Sequence, residues 1–226
     1  MVRGKLIVFE GLDRVGKSTQ IQRVRAKLEE RGHVVTVFSF PNMGVTTGPL
    51  LRKHLRGDIT LVPEAAHHMF ALNRKQTQPH IEEHLSRGHV VLCDRYMYSG
   101  IAYSQAQPEF TKSLEWCLRL ERNLPEPNAV VYLCRNTDAI GCCKEPESPD
   151  EKLLKGNGAD DSSSTFMKWE KRERYESEDL QKEVEKQLDS FARALSWKRV
   201  VARQPMEDVT YHILHAIDPV IQDKES

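Results

Sequence analysis

The residues with the clearest chemical potential form a glycine-rich turn, Gly11-Leu12-Asp13-Arg14-Val15-Gly16-Lys17-Ser18, directly after the apolar run at residues 6–9. The spacing G-x-x-x-x-G-K-[ST] between a buried strand and a helix is typical of a phosphate-binding P-loop. Gly11 and Gly16 permit the tight turn that points backbone N–H groups at an anion. Lys17 is expected at the β- and γ-phosphates, and the Ser18 hydroxyl is placed for Mg²⁺. The chain is therefore predicted to bind a nucleoside triphosphate.

A second motif, Asp94-Arg95-Tyr96, follows the apolar run at residues 90–93. An aspartate at the carboxyl end of a buried strand beside a P-loop is suited to holding Mg²⁺, so Asp94 is expected to join Ser18 at the metal. The planar guanidinium of Arg95 matches a phosphate group through paired hydrogen bonds. We expect Arg95 to grip the phosphate of the acceptor.

These motifs lie within an alternation of β-rich apolar runs and helical patterns. The predicted strands are residues 6–9, 34–40, 90–93, 129–133 and 199–202. The predicted helices are residues 17–31, 63–87, 111–122, 166–195 and 208–221. Because the runs are apolar throughout, both faces of the sheet must be covered. The sequence predicts an α/β fold, with a five-stranded parallel sheet, helices on both faces and the site at the carboxyl ends of the strands.

The composition is that of a globular protein whose positive and negative charges balance. The 226 residues have a formal net charge of zero, with 39% apolar and 29% charged residues, so neither nucleic acid nor a membrane is an expected partner. No apolar run is long enough for a membrane span, and no signal peptide is expected. Five cysteines form no C-x-x-C pair, and Cys93 and Cys134 lie in apolar runs as small hydrophobic residues. These features predict a cytoplasmic location.

One segment interrupts the alternation. Residues 144–164 are rich in Glu, Asp, Lys, Ser, Gly and Pro, a composition that does not support a core. We expect a long mobile loop there, within a lid or insertion at about residues 141–176. The chain is otherwise predicted to form a single domain over residues 1–226.

The stretch from Asp94 to Tyr103, Asp-Arg-Tyr-Met-Tyr-Ser-Gly-Ile-Ala-Tyr, resembles the D-R-Y-x-x-S-G-x-A-[YF] signature of thymidylate kinases. The P-loop, Phe40-Pro41, the run Phe70-Ala71-Leu72-Asn73-Arg74 and Glu173-Arg174-Tyr175-Glu176 are similar to that family in the same order. The resemblance implies a P-loop nucleoside monophosphate kinase domain that transfers phosphate from ATP to dTMP, giving dTDP for dTTP synthesis. It further implies Mg²⁺ as cofactor and a homodimer packed through helices.

The resemblance also implies an acceptor site. Phe70 would stack on the thymine ring, and Arg74 would donate to a base carbonyl, where the amino group of cytosine leaves two donors unsatisfied. Tyr103 would disfavour a ribose 2′-hydroxyl, whereas Phe40 and Leu55 either wall the pocket or belong to ordinary core packing. The residues assigned to dTMP are Asp13, Phe40, Pro41, Leu55, Phe70, Arg74, Arg95, Ser99, Gly100, Tyr103, Tyr175 and Gln181.

On the donor side, phosphoryl transfer needs positioning and positive charge over the migrating group. An arginine at the position of Arg14 implies the eukaryotic type of the family, in which the P-loop supplies that charge. The insertion offers Lys144, Lys152 and Lys155 but no arginine before Arg172. The expected catalytic residues are Lys17, Arg14, Arg95 and Asp13. The residues assigned to ATP are Gly11, Arg14, Gly16, Lys17, Ser18, Thr19, Ala202 and Arg203.

One departure and two alternatives stand beside this interpretation. The family usually has an arginine shortly after the Phe-Pro pair, whereas this chain has Asn42-Met43, so the Asn42 amide is a candidate replacement. A deoxynucleoside kinase shares the fold, but it needs a carboxylate base where Phe40-Pro41 stands. A P-loop switch protein for guanine nucleotides needs N-K-x-D after a strand, and residues 134–138 lack the lysine.

Overall fold

The computed structural model describes residues 2–135 and 174–223. Within them, five strands form one parallel sheet in the order β2-β3-β1-β4-β5. The strands are β1 (Leu6–Gly11), β2 (Val35–Ser39), β3 (Val90–Asp94), β4 (Ala129–Cys134) and β5 (Lys198–Val201). The prediction of an α/β fold with a five-stranded parallel sheet is confirmed.

The helices that the structure describes are α1 (Lys17–Glu30), α2 (Gly48–Leu55), α3 (Pro63–Ser86), α4 (Met97–Gln105), α5 (Leu114–Leu120), α6 (Glu178–Ala194) and α7 (Met206–Gln222). Two of them, α2 and α4, were not predicted. The predicted start of α5 at residue 111 was wrong, because the Ser113 hydroxyl caps the helix by accepting from the Trp116 N–H. In the described part of the helix predicted over residues 166–195, α6 begins at Glu178, since Ser177 caps it in the same way.

Strand β1 lies at the centre of the sheet, and its side chains alternate between two covered faces. Leu6 and Val8 pack in a core with residues of α3, α4, α5 and α6, whereas Ile7 and Phe9 pack with residues of α1 and α7. All four side chains are fully buried. Burial on both faces explains why the run at residues 6–9 is apolar without alternation.

The carboxyl ends of the central strands bring the two motifs together. Strand β1 pairs with β3 on one side, where Phe9 lies opposite Asp94, and with β4 on the other, where Gly11 lies opposite Leu133. A Cβ atom at Gly11 would lie 2.6 Å from the Leu133 carbonyl oxygen, and the φ of Gly11 is +145°. Only glycine therefore lets the chain leave β1 this close to β4 and enter the P-loop.

Several predictions concern residues outside the described ranges: the lysines and arginine of the insertion, Glu173 and most of the lid at residues 141–176. In the described part of the chain, Cys93 and Cys134 are buried as predicted, and Cys117 is buried with them. No helix in that part has the length and apolar character to cross a membrane.

Candidate active site

The P-loop joins β1 to α1 and holds its lysine inside the loop. Gly16 adopts a left-handed conformation (φ 92°) at the start of α1, which turns the chain into the helix. The Lys17 ammonium donates to the Leu12 carbonyl at 2.6 Å and is largely buried. Burial, together with the nearby Arg95 guanidinium, lowers the pKa of Lys17 to about 8. Within the described residues, the lysine is thus held beneath the loop without a direct carboxylate partner.

Asp94 lies at the carboxyl end of β3, facing the first turn of α1. The Ser18 hydroxyl donates to Asp94 Oδ2 at 2.7 Å, so the two predicted metal residues are in contact. Thr19 lies beside Ser18 in the same cleft, which Gly16 and Lys17 also line. Hydroxyl and carboxylate oxygens in this position are the donors that Mg²⁺ prefers.

Arg95 connects the phosphate cleft to a second pocket. One terminal nitrogen donates to Asp13 Oδ1 at 2.7 Å and to the Tyr103 hydroxyl at 3.3 Å, while the other donates to Ser99 Oγ at 3.0 Å. Burial raises the pKa of Asp13, but the charge of Arg95 and the Tyr103 hydrogen bond outweigh it and leave the pKa below its usual value. Asp13 is therefore held as the carboxylate that orients Arg95.

Glu10, which was not among the predicted site residues, fixes the segment that carries Arg95. Its fully buried carboxylate accepts from the backbone N–H groups of Tyr96 (3.0 Å) and Ser99 (3.2 Å), and from the Ser99 hydroxyl. Arg95 itself has a left-handed backbone, with φ 66°. Burial raises the pKa of Glu10. The one signal in the sequence was a glutamate inside an apolar strand.

The second pocket lies on the other side of Arg95 and is lined mostly by predicted acceptor residues. The predicted acceptor residues that line it are Asp13, Phe40, Pro41, Leu55, Phe70, Arg74, Arg95, Ser99, Gly100, Tyr103 and Tyr175. Gln181 of α6 joins them through its side-chain amide, which donates to Asp13 Oδ2 at 3.0 Å and to the Tyr103 hydroxyl at 3.1 Å. Lining residues that were not predicted are Tyr96, Ser104, Gln107 and Glu176.

The chain segment before α6 closes one side of this pocket. The Tyr175 hydroxyl lies 3.0 Å from His54 Nε2, and the backbone N–H of Arg174 donates to the Leu55 carbonyl at 3.0 Å. The Arg174 side chain adds bonds to the carbonyls of His54 and Ile59, both at 3.2 Å. Residues 174 and 175 are therefore fastened to α2, a helix that the sequence analysis did not anticipate.

Arg14, the predicted catalytic arginine of the P-loop, points away from the core. Its side chain is 80% exposed and forms an ion pair with Glu176 at 3.0 Å. Its backbone, like that of Arg95, is left-handed, with φ 60°. A guanidinium on the open side of the loop is free to move over a bound phosphate.

Two further predictions have different outcomes. Asn42 is bonded within the protein: its amide donates to Thr77 Oγ1 at 3.1 Å, and its Oδ1 accepts from the Gly44 N–H at 2.9 Å. These bonds do not favour Asn42 as the replacement for the family arginine, which stays a prediction. Ala202 and Arg203 follow β5, where the Ala202 N–H donates to the Cys134 carbonyl at 2.9 Å.

A P-loop and a base-sized pocket that share one arginine define a nucleotide kinase of the P-loop fold. A family model described as thymidylate kinase matches residues 9–148. The chain belongs to the thymidylate kinase family.

Individual relatives agree with the family match. The chain is 30% identical to the thymidylate kinase of Danio rerio over 92% of this chain and 86% of the relative. It is also 30% identical to the thymidylate kinase of Plasmodium falciparum, over 99% and 94%. Among solved structures, it is similar to the thymidylate kinase of Candida albicans, with a TM-score of 0.74, 27% identity, and coverage of 97% of this chain and 93% of that one.

Proposed function

We propose that this chain transfers the γ-phosphoryl group of ATP to dTMP, giving dTDP and ADP. The observation that carries the proposal is the bridge from Arg95 to Asp13 at 2.7 Å, because both residues line the phosphate cleft and the second pocket. An acceptor phosphate gripped there would lie next to the end of a triphosphate on the P-loop. Proximity of this kind is the main requirement of phosphoryl transfer.

On the acceptor side, we assign Phe70 to stacking on the thymine ring and Arg74 to reading its carbonyl group. Arg95 would donate hydrogen bonds to the phosphate from its guanidinium, whose orientation is fixed by the hydrogen bonds to Asp13 and Ser99. Tyr103 would pack against the sugar, and its hydroxyl is already satisfied by the Asp13 carboxylate at 2.8 Å. Since the acceptor is a phosphate anion, the reaction needs no general base.

On the donor side, the backbone of the P-loop would cradle the phosphates and Lys17 would leave the Leu12 carbonyl to contact them. We assign Arg14 to the positive charge over the transferring group, which requires it to leave Glu176. Ala202 and Arg203 are assigned to the remainder of ATP. The reaction uses positioned charge throughout, which is the chemistry expected of this fold.

Arg14→Ala should lower turnover by about 10³-fold, the effect of a well-placed arginine on phosphoryl transfer, while changing the dTMP dissociation constant only a few-fold. Steady-state rates and calorimetric binding measure the two quantities. Arg3→Ala is the matched control, because Arg3 is also exposed and paired with a glutamate, Glu82, at 2.6 Å. Turnover of Arg14→Ala within a few-fold of the parent would contradict the assignment.

We propose Mg²⁺ as the cofactor, held by Ser18 and Asp94 together with phosphate oxygens of ATP. The oxygen donors in contact at 2.7 Å fit this ion. When bound, the ion neutralises charge on the phosphates. We also propose a single domain over residues 1–226 with a lid at about 141–176, a homodimer packed through helices, and a cytoplasmic location without nucleic acid or membrane partners.

An ADP-release assay with ATP, Mg²⁺ and a panel of acceptors tests the function. We expect dTMP to be the preferred acceptor, with little ADP formed from thymidine or without an acceptor. Preference for thymidine would identify a deoxynucleoside kinase, although β2 ends at Ser39 and leads into Phe40-Pro41 without a carboxylate base. Nucleotide binding without turnover of any acceptor would favour a switch protein.

A further inference from the structure

Arg74 and Glu121 form an ion pair that is cut off from solvent. Their side chains are only 3% and 1% exposed. Arg74 Nε donates to Glu121 Oε2 at 2.9 Å, and Arg74 Nη2 donates to Glu121 Oε1 at close range. The carboxylate therefore occupies one whole edge of the guanidinium. Glu121 follows α5 directly and lies 47 positions from Arg74, so the pair is set by the fold rather than by local sequence.

One face of the same guanidinium lies against Gly100 of α4. A Cβ atom at that position would be 2.6 Å from Arg74 Nη2, 2.9 Å from Nη1 and 3.0 Å from Cζ. The arginine is thus confined between the carboxylate and the backbone of α4. Among the described residues, Nη1 has no hydrogen-bond partner, while Arg74 and Gly100 both line the second pocket. The donor edge that the carboxylate does not use is the one left for a ligand.

We propose that Glu121 is a positioning residue that sets the discrimination between thymine and cytosine by fixing Arg74. This inference rests on the proposed function, in which Arg74 donates to the carbonyl at C4 of the base. A buried guanidinium without a carboxylate partner is strongly unfavourable and would move toward water. Held by two hydrogen bonds, the guanidinium keeps its remaining N–H donors in fixed directions. A carbonyl accepts from such a donor, whereas the amino group of cytosine leaves both donors unsatisfied.

The pair also ties α3 to the end of α5, so loss of stability alone would not distinguish positioning from a structural role. The informative quantity is the ratio of the dissociation constants for dCMP and dTMP, measured by calorimetry without ATP. Glu121→Asp keeps the charge but withdraws it from the guanidinium, and Glu121→Gln keeps the length but removes the charge. Asp189→Asn is the matched control, because Asp189 pairs with the mostly buried Arg199 at 2.9 Å, away from the pocket.

We expect Glu121→Asp and Glu121→Gln to lower the dCMP/dTMP ratio by about tenfold or more, mainly through weaker dTMP binding. Asp189→Asn should lower the melting temperature and leave the ratio within twofold of the parent. A ratio unchanged in Glu121→Asp, with a lower melting temperature, overturns the proposal. If Glu121→Gln does not fold, Glu121→Asp decides the question.

A double-mutant comparison tests whether Glu121 acts through Arg74. Arg74→Gln should lose the discrimination by itself, and adding Glu121→Gln should then leave the ratio unchanged. A further drop in the double variant would show that Glu121 acts by another route and would overturn the proposal. The binding measurements are independent of turnover. A parent that prefers dTMP over dCMP but releases no ADP would therefore refute the proposed function and leave this inference standing.

Discussion

Arg95, like Asp13, lines both halves of the site. Its two terminal nitrogens reach different partners, Asp13 on the P-loop and Ser99 on α4, at 2.7 and 3.0 Å. A planar guanidinium donates to several partners in fixed directions, whereas an ammonium group is a point charge. The chain also lacks the arginine that the family usually has after Phe40-Pro41. The acceptor phosphate would therefore have fewer positively charged contacts if Arg95 were altered.

Arg95→Lys should raise the dissociation constant for dTMP and lower turnover, each by about tenfold or more, because the charge remains while the paired geometry is lost. Calorimetry and initial rates measure the two effects. Met43→Arg serves as the companion variant and should tighten dTMP binding or leave it unchanged. An Arg95→Lys protein indistinguishable from the parent in both measurements would remove Arg95 from the role of phosphate clamp.

Lys17 predicts a pH dependence of ATP binding. Its ammonium form attracts phosphate, and its pKa in the ligand-free protein is about 8, so the affinity for a non-hydrolysable ATP analogue should fall as pH rises from 7 to 9. The Lys17→Met variant should bind the ATP analogue weakly, and its affinity should not fall over this pH range. The folded pKa lies below the ordinary 10.5, so the unfolded chain binds more protons between about 8 and 10.5. The contribution of Lys17 to stability therefore rises with pH over that interval.

Strand β1 does more than support the P-loop, because the carboxylate of Glu10 near its end holds the start of α4 through hydrogen bonds. Glu10→Gln replaces one acceptor oxygen with a donor that faces the Ser99 hydroxyl or backbone N–H groups. We expect kcat/KM for dTMP to fall by about tenfold and the free energy of unfolding to fall by about 1–3 kcal/mol. Ser113→Ala removes a cap from α5 instead. It should reduce stability alone, and equal losses of kcat/KM in both variants would argue against a role for Glu10 in placing Arg95.

The elements that could be predicted from sequence are those with a long, uniform pattern. Strands β1, β3 and β4 are mainly apolar because they are buried on both faces, and α1, α3 and α7 are long enough to show their period. Helix α2 is short and begins with Gly48-Pro49, which is also typical of a turn. Helix α4 contains Ser99 and Gly100 and is packed between other elements, so it has no clear polar face.

The buried carboxylates show where inference from sequence ends. Glu10 could have been noticed, because a charged residue between Phe9 and Gly11 is out of place in a core strand. Glu121 could not, since Glu121-Arg122 after a short helix has the usual composition of a solvated surface. Its burial depends on α3, α4 and α5 meeting around it. The residues assigned to ligands belong to sequence motifs, whereas the residues that hold them in place are brought together only by the tertiary structure.

The hydrophobic cores on the two faces of the sheet should unfold together, because they share the same strands. Cys93, Cys117 and Cys134 are buried in one of them. Burial raises the pKa of the Cys93 thiol well above its usual range and that of Cys117 to about 11. Because the thiolate is the reactive form, Cys93 and Cys117 are protected both by burial and by their raised pKa, and Cys134 is protected by burial.

Labelling of these three thiols should therefore report global unfolding. In a urea series analysed by peptide mass spectrometry, we expect them to become reactive together, at the midpoint seen by circular dichroism. Cys142 and Cys143 lie outside the described residues and are followed as separate peptides. Reaction of Cys117 well below that midpoint would show that α5 opens independently of the core.

The left-handed backbone of Arg14 and Arg95 has a consequence for protein engineering. A non-glycine residue in this conformation carries roughly 1–3 kcal/mol of strain, which glycine at the same position would relieve. A selection for thermal tolerance alone would therefore favour glycine at position 14, where the arginine side chain is 80% exposed. At position 95 the same change would leave Asp13 without its ion-pair partner, which opposes the gain. The selection would enrich stable proteins that had lost the positive charge proposed to act on the transferring phosphate. Libraries made to stabilise this protein should therefore hold the Arg14 codon constant.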